Sequence, residues 1–340
     1  MKSCFKIAVH IAAMLAIFAC EHKDLCYDHR DHAHKYHVRI VADYRHDWEE
    51  RFDGMDWQSN WPDNYLPYDD LRPGMPSGLR IVNNWEDKGY NLHNISSTGG
   101  VVNLYEGPNN ILLYNNDTEY IVFSRTNDGA STRATTRTRT RASYVASKYT
   151  NDGEPTVNPP DMLYANYIEG YIAEKLPEPA VIEVTLQPLV FTYKIRYEFK
   201  EGLKYVSMAR GALSGMAESV RMNTGDTSDE AVTVLFDAEI TDYGVRALCN
   251  SFGTPGYPHP NYPTRLPEAK HGLNLELLLK NGRTVHFNFD VTDQVQAQPH
   301  GGVIVVKDIE VKDNVGTQGS GAFDVTVDEW GEYEDIVLPL

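Results

Sequence analysis

Cysteine is scarce in this 340-residue chain: Cys4, Cys20, Cys26 and Cys249 are the only four. No two of them make a Cys-x-x-Cys pair, which excludes that redox motif. Positive charge is also in short supply. Lys and Arg number 31 against 48 Asp and Glu, a formal net charge of −17 that repels phosphate backbones and excludes nucleic acid as a partner. Long apolar runs are missing, since the longest, IAVHIAAMLAIFA, ends at Ala19 and falls short of the roughly 20 residues that span a bilayer. No glycine-rich phosphate loop and no calcium-loop spacing occurs. Gly211-Ala212-Leu213-Ser214-Gly215 misses the G-x-S-x-G elbow because its first glycine stands one residue too far back. Cys249 has no identifiable base, and Asp290 with Asp293 reads as turn chemistry at a strand end. Neither an enzyme nor a cofactor is expected. Helical periodicity is nearly absent, and helix is expected only in one short segment around ARGALSGMAESV, residues 209–220.

What is present starts at the amino end. Lys2 and Lys6 precede the apolar run, and Ala19 precedes Cys20. A charged start, an apolar core and a small residue before the cut describe a secretory signal peptide over residues 1–19. Ile17-Phe18-Ala19-Cys20 resembles a bacterial lipobox, although Phe18 and the polar His10 are unusual in one. The expectation is an exported protein held at the outer membrane and cell surface by acyl chains on Cys20. In an oxidising compartment Cys26 and Cys249 are then the disulfide candidates, with no geometric test available from sequence.

Residues 20–35 read as a polar tether. They are dense in metal-ligand types: His29, His32 and His34, with His37 just beyond, and also Asp28, Asp31 and Cys26. Without a paired spacing or a rigid frame they bind metal incidentally at most, and no metal site is assigned. From Tyr36 the pattern becomes strict alternation, with Tyr36, Val38, Ile40, Ala42 and Tyr44 on one face of a half-buried strand. A long loop rich in Trp, Asp, Pro and Gly follows at 46–78. Strand-like runs then recur at 79–82, 101–105, 111–115 and 120–124, separated by turn chemistry. RTNDGASTRATTRTRTRASY, with five arginines and no apolar stripe, reads as a solvated loop. Alternation resumes near residue 185 and continues through 231–240, 273–280, 284–291, 303–311 and 322–330, with Asn281-Gly282 as a two-residue hairpin signal. The expected fold class is all-β, as antiparallel β-sandwiches with Greek-key connections, in an N-terminal domain over 36–184 and a C-terminal domain over 185–340.

Three phrases in order, GGVVNLYEGPNNILLYNNDTEYIVF, RGALSGMAESVRMN and RTVHFNFDVTDQVQAQPHGGVIVVKDIEV, resemble the fimbrillin-type surface lipoproteins of gut and oral anaerobes, as does CEHKDLCYDH after the signal peptide. The nearest group is related to fimbrial anchor and minor-subunit proteins. The resemblance implies two tandem transthyretin-like Greek-key β-sandwich domains. It also implies a fimbrium-like (pilus) anchor or minor subunit that supports adhesion, with other fimbrial subunits as partners through strand exchange. Proteolysis after an arginine would release the first strand, and Arg39, Arg45 and Arg51 are the candidates here. The candidate donor is the C-terminal segment, with Phe323, Val325 and Val327 alternating and Ile336 and Leu338 near the end. An ordinary last strand of the second sandwich is the plainer reading of that segment.

A surface glycan-binding lipoprotein with tandem β-sandwiches is the alternative function, since Trp48, Trp57, Trp61, Tyr65 and Tyr68 offer rings to stack on sugars. The two end states of the amino terminus separate anchor from polymerising subunit. Intact-mass and N-terminal analysis of protein taken from cells is expected to find acylated Cys20. A free terminus after Arg39, Arg45 or Arg51 would instead mark a processed, polymerising subunit.

Overall fold

The computed structural model describes residues 34–45, 75–85, 89–257, 270–317 and 334–336. Over these the chain is all-β. Its first strands are β1 (Lys35–Tyr44), β2 (Gly78–Trp85), β3 (Tyr90–Ser96), β4 (Gly99–Tyr105) and β5 (Gly107–Asn115). Four short ones follow, β6 (Ile121–Ser124), β7 (Arg133–Thr136), β8 (Thr138–Thr140) and β9 (Thr156–Val157), and then β10 (Tyr164–Ala173) and β11 (Ala180–Pro188). The remainder holds β12 (Phe191–Glu201), β13 (Val206–Ala217), β14 (Ser219–Arg221), β15 (Ala231–Ile240), β16 (Gly244–Ser251), β17 (Gly272–Leu279) and β18 (Thr284–Asp290). Helix α1 (Thr292–Ala297), β19 (Gly302–Glu310), helix α2 (Asp313–Thr317) and β20 (Glu334–Ile336) complete it. Neither α1 nor α2 is long and apolar enough to cross a membrane, nor is any other described helix.

Seven strands close a barrel in the order β1-β11-β10-β5-β2-β3-β4, with β4 returning to β1. The main run of the second sheet is β18-β17-β13-β15-β16-β12-β19. Counted in chain order, the two sets of seven follow one scheme. First pairs fourth, fourth pairs third, third pairs second, second pairs fifth and fifth pairs sixth, all antiparallel, while first and seventh run parallel. The seam between sixth and seventh differs. β10 and β11 share two residue pairs, Tyr164 with Pro188 and Ala165 with Gln187. Among the described residues β18 and β19 are not paired. β11 ends the barrel at Pro188 and β12 starts the second sheet at Phe191.

Each sheet has its own core. Val38, Ile40, Leu79, Ile81, Leu104, Ile111, Leu113 and Leu186 fill the barrel. Tyr193, Ile195, Tyr197, Leu213, Phe236, Leu275, Leu277, Val295 and Ile304 fill the second. A third cluster joins Val82, Tyr114, Ala134 and Leu163 to Val190, Val220 and Phe252.

Two expectations from composition are corrected. Residues 209–220 are strand rather than helix. β13 lies between β15 and β17 and is buried along most of its length. Its small residues answer crowding rather than helix propensity: a Cβ on Gly211 would lie 2.0 Å from the Phe236 ring. Helix appears instead at α1 and α2. The arginine-rich stretch 125–144 is also ordered. β7 lies at the centre of a small sheet between β6 and β14, while β8 and β9 extend the second sheet alongside β15. Its arginines are engaged: Arg139 donates Nη1–H to Leu235 O at 3.1 Å and pairs with Asp237 at 3.4 Å. Arg141 enters the protein and meets Glu276 of β17 at 3.4 Å, both side chains being almost fully enclosed. Arg141 also donates Nη1–H to Gly211 O. The Asn281-Gly282 hairpin is present with three loop residues rather than two, because Leu279 N–H reaches Arg283 O at 2.8 Å and Gly282 N–H reaches Leu279 O at 2.9 Å.

Removing one member of a buried ion pair strands the other's charge. Arg141→Leu is therefore expected to cost about 3–5 kcal/mol in urea unfolding, whereas Arg141→Leu with Glu276→Leu recovers most of that loss. Equal destabilisation by the single and the double variant would contradict a charge-driven effect.

Candidate functional site

The alternation that starts at Tyr36 places β1 in the wall of the barrel. On its inner face Val38 and Ile40 are 1% exposed and Tyr44 is 6% exposed, while Tyr36 and Ala42 are half-buried against the same core. Arg39, Val41, Asp43 and Arg45 face outward, as period 2 requires.

Both edges of β1 are occupied. Val38 to Tyr44 run parallel to Ala180–Leu186 of β11, and Lys35 to Val41 run antiparallel to Tyr105–Gly99 of β4. The carboxyl end is fastened most heavily. Tyr44 donates Oη–H to Ser97 O at 2.8 Å, packs edge-on to Tyr164 at 5.2 Å between ring centroids, and is followed by Arg45 N–H donating to Leu186 O at 2.9 Å. Burial, with lesser contributions from the charge of Asp117 and from Tyr164, pushes the Tyr44 phenol up to about 12. Arg45 Nη1–H reaches Gln187 Oε1 at 3.1 Å. At the other end Lys35 lies over the Tyr105 ring, 4.7 Å from its centroid.

Lifting β1 out would uncover a groove floored by Leu79, Ile81, Val102, Leu104, Ile182 and Val184, between the backbone edges of β4 and β11. Unpaired strand edges beside an apolar trough are a template for strand addition. The chemistry on offer is hydrogen bonding and burial rather than bond making.

The other residues singled out by sequence are dispersed. Cys249 on β16 is a fully buried free thiol, and burial raises its pKa far above the usual range. Cys20, Cys26, Arg51, Phe323, Val325, Val327 and Leu338 lie outside the described residues, as do Trp48, Trp57, Trp61, Tyr65 and Tyr68. Ile336 is in β20, opposite Thr138 of β8. His34 and His37 are exposed, and among the described residues no three His, Cys, Asp or Glu side chains gather as metal ligands. Sequence reasoning named the knobs of β1 but not its partners. The β11 segment lies about 140 residues away, and nothing local to either strand encodes a parallel pairing.

Comparison with known proteins bears on the fold. Residues 73–237 match the model of DUF5119, a domain of unknown function, over just under half the chain. A Bacteroides ovatus protein described as a "putative adhesin" shares the fold at 19% identity and TM-score 0.53, over 84% of this chain and 97% of its own. The fimbrial anchor protein Mfa2 from Porphyromonas gingivalis aligns at 11% identity and TM-score 0.40, over 80% of this chain and 90% of its own. A fimbrial assembly protein from Parabacteroides distasonis aligns at 13% and 0.34, over 81% and 91%. No curated protein sequence matches.

Ile40→Ala is expected to cost about 2–5 kcal/mol in chemical unfolding, the range for truncating a buried aliphatic side chain. Val41→Ala, on the exposed face of the same strand, should stay within about 0.5 kcal/mol of the parent. Comparable losses from both would place the strand's binding in its backbone ladder rather than its knobs.

Proposed function

We propose that this DUF5119-bearing chain is a cell-surface fimbrium-like anchor or minor subunit, which engages other subunits by β-strand donation and supports adhesion. The observation that carries the reading is the position of β1. It is the first described strand, it closes the barrel alone between β4 and β11, and its apolar knobs are spaced for replacement by any strand of matching alternation. In this reading the two seven-strand sets are tandem transthyretin-like sandwich domains that change over between Pro188 and Phe191. Cys20 carries the acyl chains that hold the protein at the outer membrane, with residues 21–35 as tether. An unprocessed amino terminus leaves β1 in its own groove, which suits an anchor. Among the arginines, Arg45 is the better cleavage point than Arg39, because it follows the last residue of the strand while Arg39 lies mid-strand with neighbours paired on both sides. The donor assigned to the partner's groove is the C-terminal segment with Phe323, Val325 and Val327.

The test is displacement. With a specific protease site placed after Arg45 in the full chain, cleavage frees β1 covalently while leaving it seated. A labelled peptide of residues 322–340 is then expected to replace β1 and to co-elute with the protein in size-exclusion chromatography. Val325→Asp with Val327→Asp in the peptide should abolish this. A groove that readmits a peptide of residues 34–45 but refuses the C-terminal one would overturn donation by that segment.

A further inference from the structure

The open seam of the second sheet leaves β19 with an outer edge. In a parallel pair a residue directs both its N–H and its C=O to the same side. Val303 and Val305 direct theirs away from β12, and two glutamines of the α1 region meet all four groups. Val305 N–H donates to Gln294 Oε1 at 2.9 Å, and Gln294 Nε2–H donates to Val305 O at 3.1 Å. Val303 N–H donates to Gln298 Oε1 at 2.8 Å, and Gln298 Nε2–H donates to Val303 O at 3.0 Å. A primary amide presents a donor and an acceptor side by side, as a peptide unit does. Stacked four residues apart, the two amides satisfy β19 as a neighbouring strand would.

The surroundings hold the pair in place. Val295 is wholly buried in the second core and anchors α1 against the sheet. Tyr193 Oη–H donates to Gln298 O at 2.7 Å, and Gln298 Nε2–H also reaches Gln294 O at 3.1 Å. Gly302 leaves room for the amide, since a Cβ there would lie 2.0 Å from Gln298 Oε1.

We propose that Gln294 and Gln298 form an edge guard, which closes β19 to intermolecular strand pairing, and that the partner it excludes is the same edge of a second copy of this chain. The copy is the natural occupant because β19 presents alternating buried and half-buried residues, Gly302 to Val306, with no charged side chain among them, so two such edges meet without repulsion. Where exchange at β1 operates, the guard confines strand addition to the first barrel. That consequence rests on the function proposed above, whereas the guard does not.

The experiment uses the full mature chain with β1 in place. Gln294→Ala with Gln298→Ala is expected to keep the parent's circular dichroism and to exchange the Val303 and Val305 amide protons roughly tenfold faster, the factor for losing one hydrogen bond. It should also form concentration-dependent dimers or larger species in sedimentation velocity. Adding Val305→Pro, which removes an outward N–H without touching the pairing to β12, should restore the monomer. A folded double variant that stays monomeric at every concentration overturns the proposal, as does association that survives Val305→Pro. If the double variant does not fold, Gln294→Ala alone, which uncovers both outward groups of Val305 and adds no charge, is read by the same two measurements and the same criteria. Because none of these readouts involves the β1 groove, failure of strand exchange there leaves the result standing.

Discussion

The parallel contact between β1 and β11 is the interaction on which the first barrel depends. With β1 in place, all seven strands have two neighbours, and the long edges of β4 and β11 are paired along seven residues each. Without it, β4 and β11 each present a row of unpaired groups, and the apolar residues beneath them face water. Closing a barrel through a strand at the start of the described chain has a particular physical consequence. The strand contributes a full face of the core, and both its neighbours hold it by backbone hydrogen bonds and packing. Its retention is therefore set by seven residue pairs on each side and a few buried side chains, all of which another strand of the same alternation can reproduce.

The second sheet repeats the scheme and resolves the seam differently. First and seventh strands again run parallel, but here the first strand, β12, continues directly from the barrel and the seventh, β19, arrives through α1. Among the described residues the sixth and seventh strands are not paired, and Gln294 of a short helix and Gln298 just after it meet the outer edge of the seventh. A helix can stand in for a ladder only where its side chains mimic peptide groups, and glutamine at a four-residue spacing does so. The same topology thus yields one seam joined by two residue pairs and another where side chains meet the strand edge.

Legibility in the sequence followed from how each strand is buried. Where one face meets the core and the other meets water, as in β1 and β18, alternation names the strand and its inward residues directly. Where both faces are covered the period disappears. β13 reads like a helix because its small residues are spaced by contact with Phe236 and its neighbouring strands, not by exposure. The 125–144 stretch reads as solvated loop because its arginines are polar, although Arg141 finds its partner, Glu276, 135 positions later in β17. Of the groove itself, the knobs of β1 were legible and its floor was not, since Ile182, Val184 and Leu104 acquire that role only through long-range pairing. The amide pair beside β19 carries no sequence signal, because glutamines in and just after a short polar helix are unremarkable until the strand beside them is seen.

The brace between the two sheets bears on whether β1 can leave at all. Residues 133–157 belong by chain order to the first half, yet β7 pairs with β14, β9 pairs with β15 and β8 pairs with β9. The cluster beneath this crossing draws on β2, β5, β7, β10 and β14, and contains no residue of β1. Arg141 and Glu276 tie the same segment to β17 on the far side. Loss of β1 therefore opens one wall of the barrel while its opposite contacts with the second sheet stay packed. A strand that also held the two halves together could not be exchanged without unfolding their junction. Placing the brace in the inserted strands rather than in β1 makes exchange at one edge compatible with a standing fold.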